Sequence, residues 1–425
     1  MNTAFLKSFL TLSQIYNDGA FSSITLNNSL KNCKAKDKAL VTKIVYGVLD
    51  NDIRLDYIIG KHVKKMPKGD ALLYLKIGAY CLAELSIPVY AVVNDVAELA
   101  KNSGDRRIVG FVNATLKTLA DVLPDFDDYP TDEIEAASVR YSYPLWAVKK
   151  LLKDYGKETA LKIVSAKHDT ATTVRFSAPV NASEVSARFG SEVRPTVFPD
   201  AFFVDGRVGA PDETFTVQSL GSMCVSRVCA AFNPKNMLDC CSAPGGKAVY
   251  VKQLYAAANV TACDIHPHRV ALIQAYAKRL GVDVTAKVAD ATQFDESLAG
   301  KFDLVLCDVP CSGFGVLDNH PDIKIFRKNE DIGTLMKLQR AILGNACRYV
   351  ADGGVLVYST CTVFDNENGQ QVRRFLAEQP DFAPEKITLP QFPEADGQTQ
   401  HQFLPSEVMQ GFFVAAMRKT NTTSR

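Results

Sequence analysis

The chain has one tryptophan, six histidines and a net charge of only +1 over 425 residues. It also has no run of about 18 or more apolar residues, so no membrane-spanning helix is expected. Residues 1–10 lack the basic start, long apolar stretch and small-residue cleavage site of a secretory signal, which points to a cytoplasmic protein with no membrane partner. Eleven cysteines are present, but no pair of C-x-x-C motifs. A zinc site is therefore not expected, and thiols in the cytoplasm stay reduced rather than forming a disulfide framework. Nor is there an internal repeat or a low-complexity tract. What remains, 47% hydrophobic and 22% charged residues, is the composition of an ordinary globular protein, and the length suits two or three domains.

The near-zero net charge hides an asymmetry. Residues 1–119 carry 16 Lys and Arg against 10 Asp and Glu, a net +6, so the remainder is about −5. A basic N-terminal part is compatible with RNA binding and equally with a solvated helical surface. Over residues 1–132 apolar residues recur with a period near 3.6, which predicts helices over 3–16, 35–51, 54–60, 70–84, 88–102 and 106–122, punctuated by Gly60, Pro67, Gly69, Pro88 and Gly104. The acidic, two-proline stretch at 123–132 reads as a linker. Residues 133–170, which hold Trp146, look helical, and 171–208 show alternations such as Thr172-Thr173-Val174-Arg175-Phe176 and Phe202-Phe203-Val204. Residues 133–210 are accordingly expected to form a small α+β linker subdomain.

From about Val217 strands and helices alternate. Strands are predicted over 237–241, 260–264, 284–288, 304–308 and 354–358, and helices over 247–257, 268–280, 332–350 and 367–379. A final apolar strand at 411–417 has an antiparallel place. Residues 211–425 thus read as a Rossmann-like α/β domain, and in such folds ligands bind at the carboxyl ends of the strands.

The first strand–turn–helix carries Asp239-Cys240-Cys241-Ser242-Ala243-Pro244-Gly245-Gly246-Lys247. It is not a P-loop, because Cys241 and Ala248 stand where Gly and Ser or Thr are needed, and it is not G-x-G-x-x-G. Gly245 and Gly246 let backbone approach a ligand at a helix N-terminus. Asp264 ends the second strand, where an acid can take two ribose hydroxyls, and Asp290 follows the third, near an adenine position. One such acid alone could simply cap the next helix. Three at consecutive strand ends fit S-adenosylmethionine better than a phosphate-rich nucleotide.

Two cysteines follow strand ends: Cys311 in Asp308-Val309-Pro310-Cys311-Ser312-Gly313 and Cys361 in Ser359-Thr360-Cys361-Thr362. Buried thiols are commonly inert small hydrophobes, the better reading for Cys240, Cys263 and Cys307. At strand ends beside an acid, two thiols suggest covalent catalysis. Carbon 5 of a pyrimidine is a poor nucleophile until a thiolate adds to carbon 6. It then takes a methyl group, and loss of the carbon-5 proton expels the enzyme. That chemistry needs an accessible thiolate, a carboxyl group near ring N3 and help with the final elimination, which Cys311, Cys361 and Asp308 supply. The target base must leave its stack. Chemistry alone leaves open which cysteine attacks.

These residues together resemble the bacterial Sun/RsmB-type RNA cytosine-5 methyltransferases. The resemblance rests on 242–247, Asp308-x-Pro310-Cys311-Ser312-Gly313-x-Gly315, His320-Pro321-Asp322-Ile323-Lys324 and 359–362, with Ser142-Tyr143-Pro144-Leu145-Trp146 and Val217-Gln218. In the N-terminal part, Leu40-Val41-x-x-Ile44-Val45-Tyr46-Gly47, Gly78-Ala79-Tyr80, Val93-Asn94 and Gly110-Phe111-Val112-Asn113-Ala114 resemble a NusB-like helical domain. The resemblance implies an all-α NusB-like RNA-binding domain over 1–132, an RRM-like linker subdomain over 133–210 and a class I S-adenosylmethionine-dependent methyltransferase domain over 211–425. It implies Cys361 as nucleophile, Cys311 as the residue that assists product release, and Asp308 as the acid engaging the cytosine, with Lys247 nearby. Ser242, Ala243, Pro244, Gly245, Gly246, Lys247, Asp264, Asp290 and Asp308 are the implied contacts of the cofactor S-adenosyl-L-methionine. The implied partner is 16S ribosomal RNA, unassembled or in a partly assembled small subunit, and not DNA. Departures from the family pattern are Ser219 in place of an acid, Asp318-Asn319 in place of basic residues, Ser177 in place of Asn, and Gln410 in place of Asp. A transfer RNA methyltransferase and a non-catalytic NusB-like RNA-binding or assembly factor are the alternatives.

Overall fold

In the computed structural model, residues 3–31, 33–167, 171–206 and 208–420 are described; the end of the helical stretch expected over 133–170 lies outside them. The described residues cluster into two compact units: 1–165 with 317–327, and 166–316 with 328–425. No helix among them is long and apolar enough to cross a membrane.

The first unit is all helical: α1 (Thr3–Asp18), α2 (Ser22–Lys31), α3 (Ala35–Asp50), α4 (Asp52–His62), α5 (Asp70–Glu84), α6 (Val89–Ala100), α7 (Arg106–Val122), α8 (Glu133–Arg140) and α9 (Leu145–Ser165). The 3.6 period explains the packing. In α1, Phe5, Phe9, Leu12 and Ile15 form one buried stripe, while nearly every residue of α5 from Leu73 to Cys81 is buried, making it the central helix. Lys76 of α5 is itself buried and ion-paired with Asp52 and Asp56 of α4, the latter at 2.9 Å. Helices α8 and α9, which the sequence pattern groups with the strands after them, cluster with the helices before them. Asp132 caps α8 by accepting from Ile134 and Glu135 N–H. Ser142 Oγ accepts from Ile53 N–H at 2.8 Å, and Tyr143 is buried beside it.

The second unit begins with a four-stranded antiparallel sheet of β1 (Thr172–Phe176), β2 (Val193–Pro195), β3 (Ala201–Val204) and β4 (Phe215–Val217), in the order β2-β3-β1-β4, with α10 (Ala182–Phe189) between β1 and β2. After α11 (Leu220–Ala231) comes the Rossmann-like layer: β5 (Asn236–Asp239), α12 (Gly246–Leu254), β6 (Asn259–Asp264), α13 (Pro267–Arg279), β7 (Thr285–Val288) and β8 (Phe302–Asp308). Strands β7, β6, β5, β8 and β9 (Val350–Thr360) lie parallel in that order. Helix α15 (Asn329–Tyr349) precedes β9, and α16 (Gly369–Glu378) follows it. The last strand, β12 (Phe412–Lys419), runs antiparallel to β9, as its apolar sequence predicts, and is flanked by β10 (Phe382–Glu385) and β11 (Gln400–Phe403). The short β5 and β8 are buried nearly end to end, as expected of strands covered by helices on both faces.

Residues 317–327 leave this sheet domain and join the helical unit. Their short helix α14 (Asp322–Phe326) places Ile325 and Phe326 against the helical core. Asp322 accepts from Ser22 Oγ of α2, and Lys324 Nζ donates to the Asp50 carbonyl at 2.7 Å and to its carboxylate at 2.5 Å. Two charged residues of the His320–Lys324 motif, grouped by sequence with the catalytic ones, are thus buried in packing contacts of the helical unit.

Candidate active site

The parallel strand order brings the carboxyl ends of β5, β8 and β9 side by side, and with them Asp239, Asp308 and Cys361. Cys311 Sγ and Cys361 Sγ are 3.3 Å apart, although 50 residues separate them in the chain. Asp308 Oδ2 accepts from Lys247 Nζ at 2.6 Å, and its Oδ1 accepts from Ser359 Oγ at 2.7 Å. Lys247 also lies 5.3 Å from the centre of the Phe412 ring. The four residues expected to carry the chemistry are therefore brought together.

The electrostatics follow from burial. Burial works against the Lys247 ammonium, but Asp308 foremost, then Cys361 and Asp239, outweigh it and raise its pKa, so the lysine stays charged. The Cys311 thiol is pushed well up, first by its hydrogen bond to Cys361 and then by burial. Cys240, Cys263 and Cys307 are buried with raised pKa values, in keeping with thiols that pack rather than react.

Asp239 is buried, and burial followed by the Asp308 carboxylate pushes its pKa up to about 7. An unfolded aspartate titrates near ~4. Between those values the folded protein keeps a proton that the unfolded chain has lost. The stability this contributes is complete below ~4 and gone above about 7. Asp239→Asn, which cannot ionise, is therefore expected to gain on the parent protein as pH rises from about 5 to about 8. Thermal melts at both pH values check this; a mutant-minus-parent difference that does not change with pH would rule it out.

The 242–247 loop forms the other half of the site. Gly245, at φ +104°, is the N-cap of α12, and a Cβ there would stand 3.2 Å from the Ile273 side chain and 3.3 Å from its Cα. A Cβ at Gly246 would make only an ordinary contact, 3.7 Å from Gln218 Nε2. Ser242 Oγ and Asp239 Oδ2 are buried and have no hydrogen-bond partner, which is a place for the polar end of a ligand. Ile265, directly after β6, is 49% exposed, and Val288 at the end of β7 is 55% exposed. Two exposed apolar side chains at adjacent strand ends suit a flat heterocycle. Asp264 accepts from His266 N–H in the turn before α13, and it pairs with Arg269 at 3.1 Å. Asp290 Oδ1 likewise accepts from Thr292 N–H and Oγ1. These residues have the hydroxyl, carboxylate and apolar groups that S-adenosylmethionine requires.

Sequence reasoning missed several residues here. Arg269 Nη2 donates to the Ala243 carbonyl at 3.2 Å while its other nitrogen holds Asp264, so it ties the loop to the β6 end. Arg175 is buried with its guanidinium 4.0 Å from the Tyr250 ring centre, donating to Gln218 at 2.7 Å and Gln253 at 2.5 Å. It anchors α12, and so Lys247, to the four-stranded sheet. Ser219, where the family pattern has an acid, accepts from Ser222 N–H and caps α11, a role either residue fills. Glycines 315 and 411 bring two loops into backbone contact: Gly315 N–H donates to the Cys361 carbonyl at 2.9 Å, and Gly411 N–H to the Gly315 carbonyl at 2.7 Å.

Comparison with known proteins matches two families to separate stretches of the chain. The family described as 16S rRNA methyltransferase RsmB/F matches residues 228–418, and the NusB family matches 6–121. The probable ribosomal RNA small subunit methyltransferase B of Bacillus subtilis (strain 168) is 32% identical, over 94% of this chain and 95% of that protein. The ribosomal RNA small subunit methyltransferase B of Escherichia coli O127:H6 is 29% identical, over 90% and 94%. Among solved structures, PH0851 is similar over 99% of both chains with a TM-score of 0.78 at 22% identity. NSun6 from Pyrococcus horikoshii is similar over 64% of this chain and 97% of its own, with a TM-score of 0.54 at 21% identity. These two likenesses concern the fold.

Proposed function

The chain belongs to the RsmB/F family of ribosomal RNA methyltransferases, and from that premise we propose that it methylates carbon 5 of one cytosine in 16S ribosomal RNA through a covalent cysteine–cytosine intermediate. The observation that carries this reading is the pair of thiols 3.3 Å apart beside the Lys247–Asp308 ion pair.

The Cys361 thiolate bonds to carbon 6 of a cytosine lifted from its stack. As the ring electrons move toward N3, that atom takes a proton passed from the Lys247 ammonium through the Asp308 carboxylate and gives it back when carbon 5 takes the methyl, with Ser359 fixing the carboxylate. The 242–247 loop, Asp264 and Asp290 would hold S-adenosyl-L-methionine, which would supply an electrophilic methyl for carbon 5. Water takes the carbon-5 proton, the electron pair restores the C5–C6 double bond, and the C6–S bond breaks. The departing Cys361 sulfur receives the proton of the Cys311 thiol. One proton leaves per methyl transferred, and a proton shift between the two sulfurs returns the site to its starting state.

Asp264→Ala is expected to weaken binding of S-adenosylhomocysteine by about tenfold or more, the cost of losing hydrogen bonds to a charged group. Calorimetric titration checks it, and unaltered affinity would remove Asp264 from the cofactor site. The function itself is tested by bisulfite sequencing of RNA from parent and deletion strains. Loss of one mark in small-subunit RNA is expected. Loss from transfer RNA instead would change the substrate, and no loss in either would sink the enzymatic reading in favour of an RNA-binding factor.

A further inference from the structure

Two thiols in contact share their protons, and a nucleophile is useful only if the charge rests on the right sulfur. Next to the Cys311 loop lies a group that the chemistry above does not use. Glu367 is fully buried, in the 3-10 turn between β9 and α16. Its Oε1 accepts from the backbone N–H of Ser312, next to Cys311, at 2.9 Å and from Gln339 Nε2 at 3.0 Å. Two N–H donors converging on one oxygen are the surroundings of a carboxylate. Gln339 also donates to the Pro310 carbonyl at 3.0 Å, and Tyr358 Oη donates to the Glu367 carbonyl at 2.6 Å, so turn and Cys311 loop are held together. Ser312 Oγ and Thr362 Oγ1, 2.7 Å apart, join that loop to the Cys361 loop.

We propose that Glu367 is a positioning residue that sets which thiol is ionised: its buried charge holds the shared proton on Cys311 and leaves Cys361 as the thiolate. The proposal rests on the covalent reading above and adds the origin of its asymmetry. The charged and titratable groups around the pair are arranged to this end. Glu367 and Cys361 act on Cys311, and both disfavour a negative Cys311. The Lys247 ammonium, whose partner is Asp308, is itself favoured by a negative Cys361. Tyr358 lies among Glu367, Cys311, Cys307 and Asp308 and stays neutral, its pKa raised by burial and by those acids. After turnover, when the proton has passed from Cys311 to the Cys361 sulfur, the same carboxylate drives it back across the 3.3 Å contact and regenerates the nucleophile.

The test is alkylation of the free protein by iodoacetamide at neutral pH, without RNA or methyl donor, with each cysteine peptide quantified by mass spectrometry. Both cysteines are half-buried residues. In the parent protein Cys361 is expected to be labelled before Cys311. Glu367→Gln keeps an acceptor for Ser312 N–H but removes the charge, and should shift the Cys361:Cys311 labelling ratio toward Cys311 by about tenfold. Glu367→Asp, which keeps the charge on a shorter arm, should restore most of the parent ratio. Labelling of Cys311 first in the parent protein overturns the proposal whether or not the variants fold. So does an unchanged ratio in Glu367→Gln, or an equal shift in both variants, which would mean geometry alone. Because no RNA is present, failure here is separable from failure of the covalent reading, which would show as the lack of a trapped adduct with the labelling ratio intact.

Discussion

Cys361→Ala should abolish methyl transfer, and Cys311→Ala should leave protein and RNA covalently joined. The first loss is expected on the order of 10^4-fold or more, as when a nucleophile is removed from a group that acts as a unit. The second variant keeps the Cys361 sulfur, Asp308 and Lys247, so attack on carbon 6 and methyl transfer still proceed. What it loses is the proton donor 3.3 Å from the departing sulfur. The intermediate should then accumulate as a slow band on a denaturing gel, dependent on S-adenosylmethionine and absent from the double variant. If Cys361→Ala gives the band and Cys311→Ala does not, the two roles are exchanged. If neither does, the covalent route is wrong.

Gly315→Ala is expected to cost both stability and activity. A Cβ at Gly315 would fall 1.9 Å from the Gly411 carbonyl oxygen and 2.8 Å from the Cys361 carbonyl oxygen. Both are backbone atoms and cannot rotate away. Overpacking of this kind costs about 1–3 kcal/mol, or a melting temperature lower by several degrees, at about 2–4 °C per kcal/mol for a domain of 150–250 residues. The activity loss should exceed what unfolding explains, because the backbone that must yield carries Cys361. Thermal melts paired with methylation assays well below the transition separate the two. A variant that melts like the parent and turns over normally would show that the two loops need not touch.

The fold was legible where burial writes a simple pattern. The strands ending in Asp264 and Asp308 and the C-terminal strand β12 are short apolar runs bounded by turn residues, and α1 and α5 carry dense apolar faces. Helix α2 was not legible. Its sequence, Ser22 to Lys31, is rich in Ser and Asn, poor helix formers without a wide apolar stripe. Tertiary bonds hold it, from Ser22 to Asp322 and from Thr11 to Ser29. The helix expected to start at 367 starts at Gly369 instead. An acid at a helix N-terminus is usually a surface residue facing solvent, and nothing local reveals that the Glu367 side chain turns inward to meet Ser312 N–H, 55 residues earlier. Of the candidate site, Cys311, Cys361, Asp308 and Lys247 were legible because each sits in a motif with its own chemistry. Arg269 and Arg175 were not, since a lone arginine on a helix or strand has no local sign of its partner.

The passage of 317–327 out of the sheet domain and into the helical unit has a consequence for synthesis on the ribosome. A nascent chain that has emerged only to residue 165 lacks Ile325 and Phe326, which pack against the helical core, as well as the partners of Ser22 and Asp50. The N-terminal unit, although first to be made, does not have its full set of contacts until the β8 strand and the Cys311 loop have also left the exit tunnel. Maturation of the two units is tied to one late stretch of chain. A protein truncated between 165 and 317 would keep the buried helical core but leave Ser22, Asp50 and the surface that receives Ile325 and Phe326 without those partners.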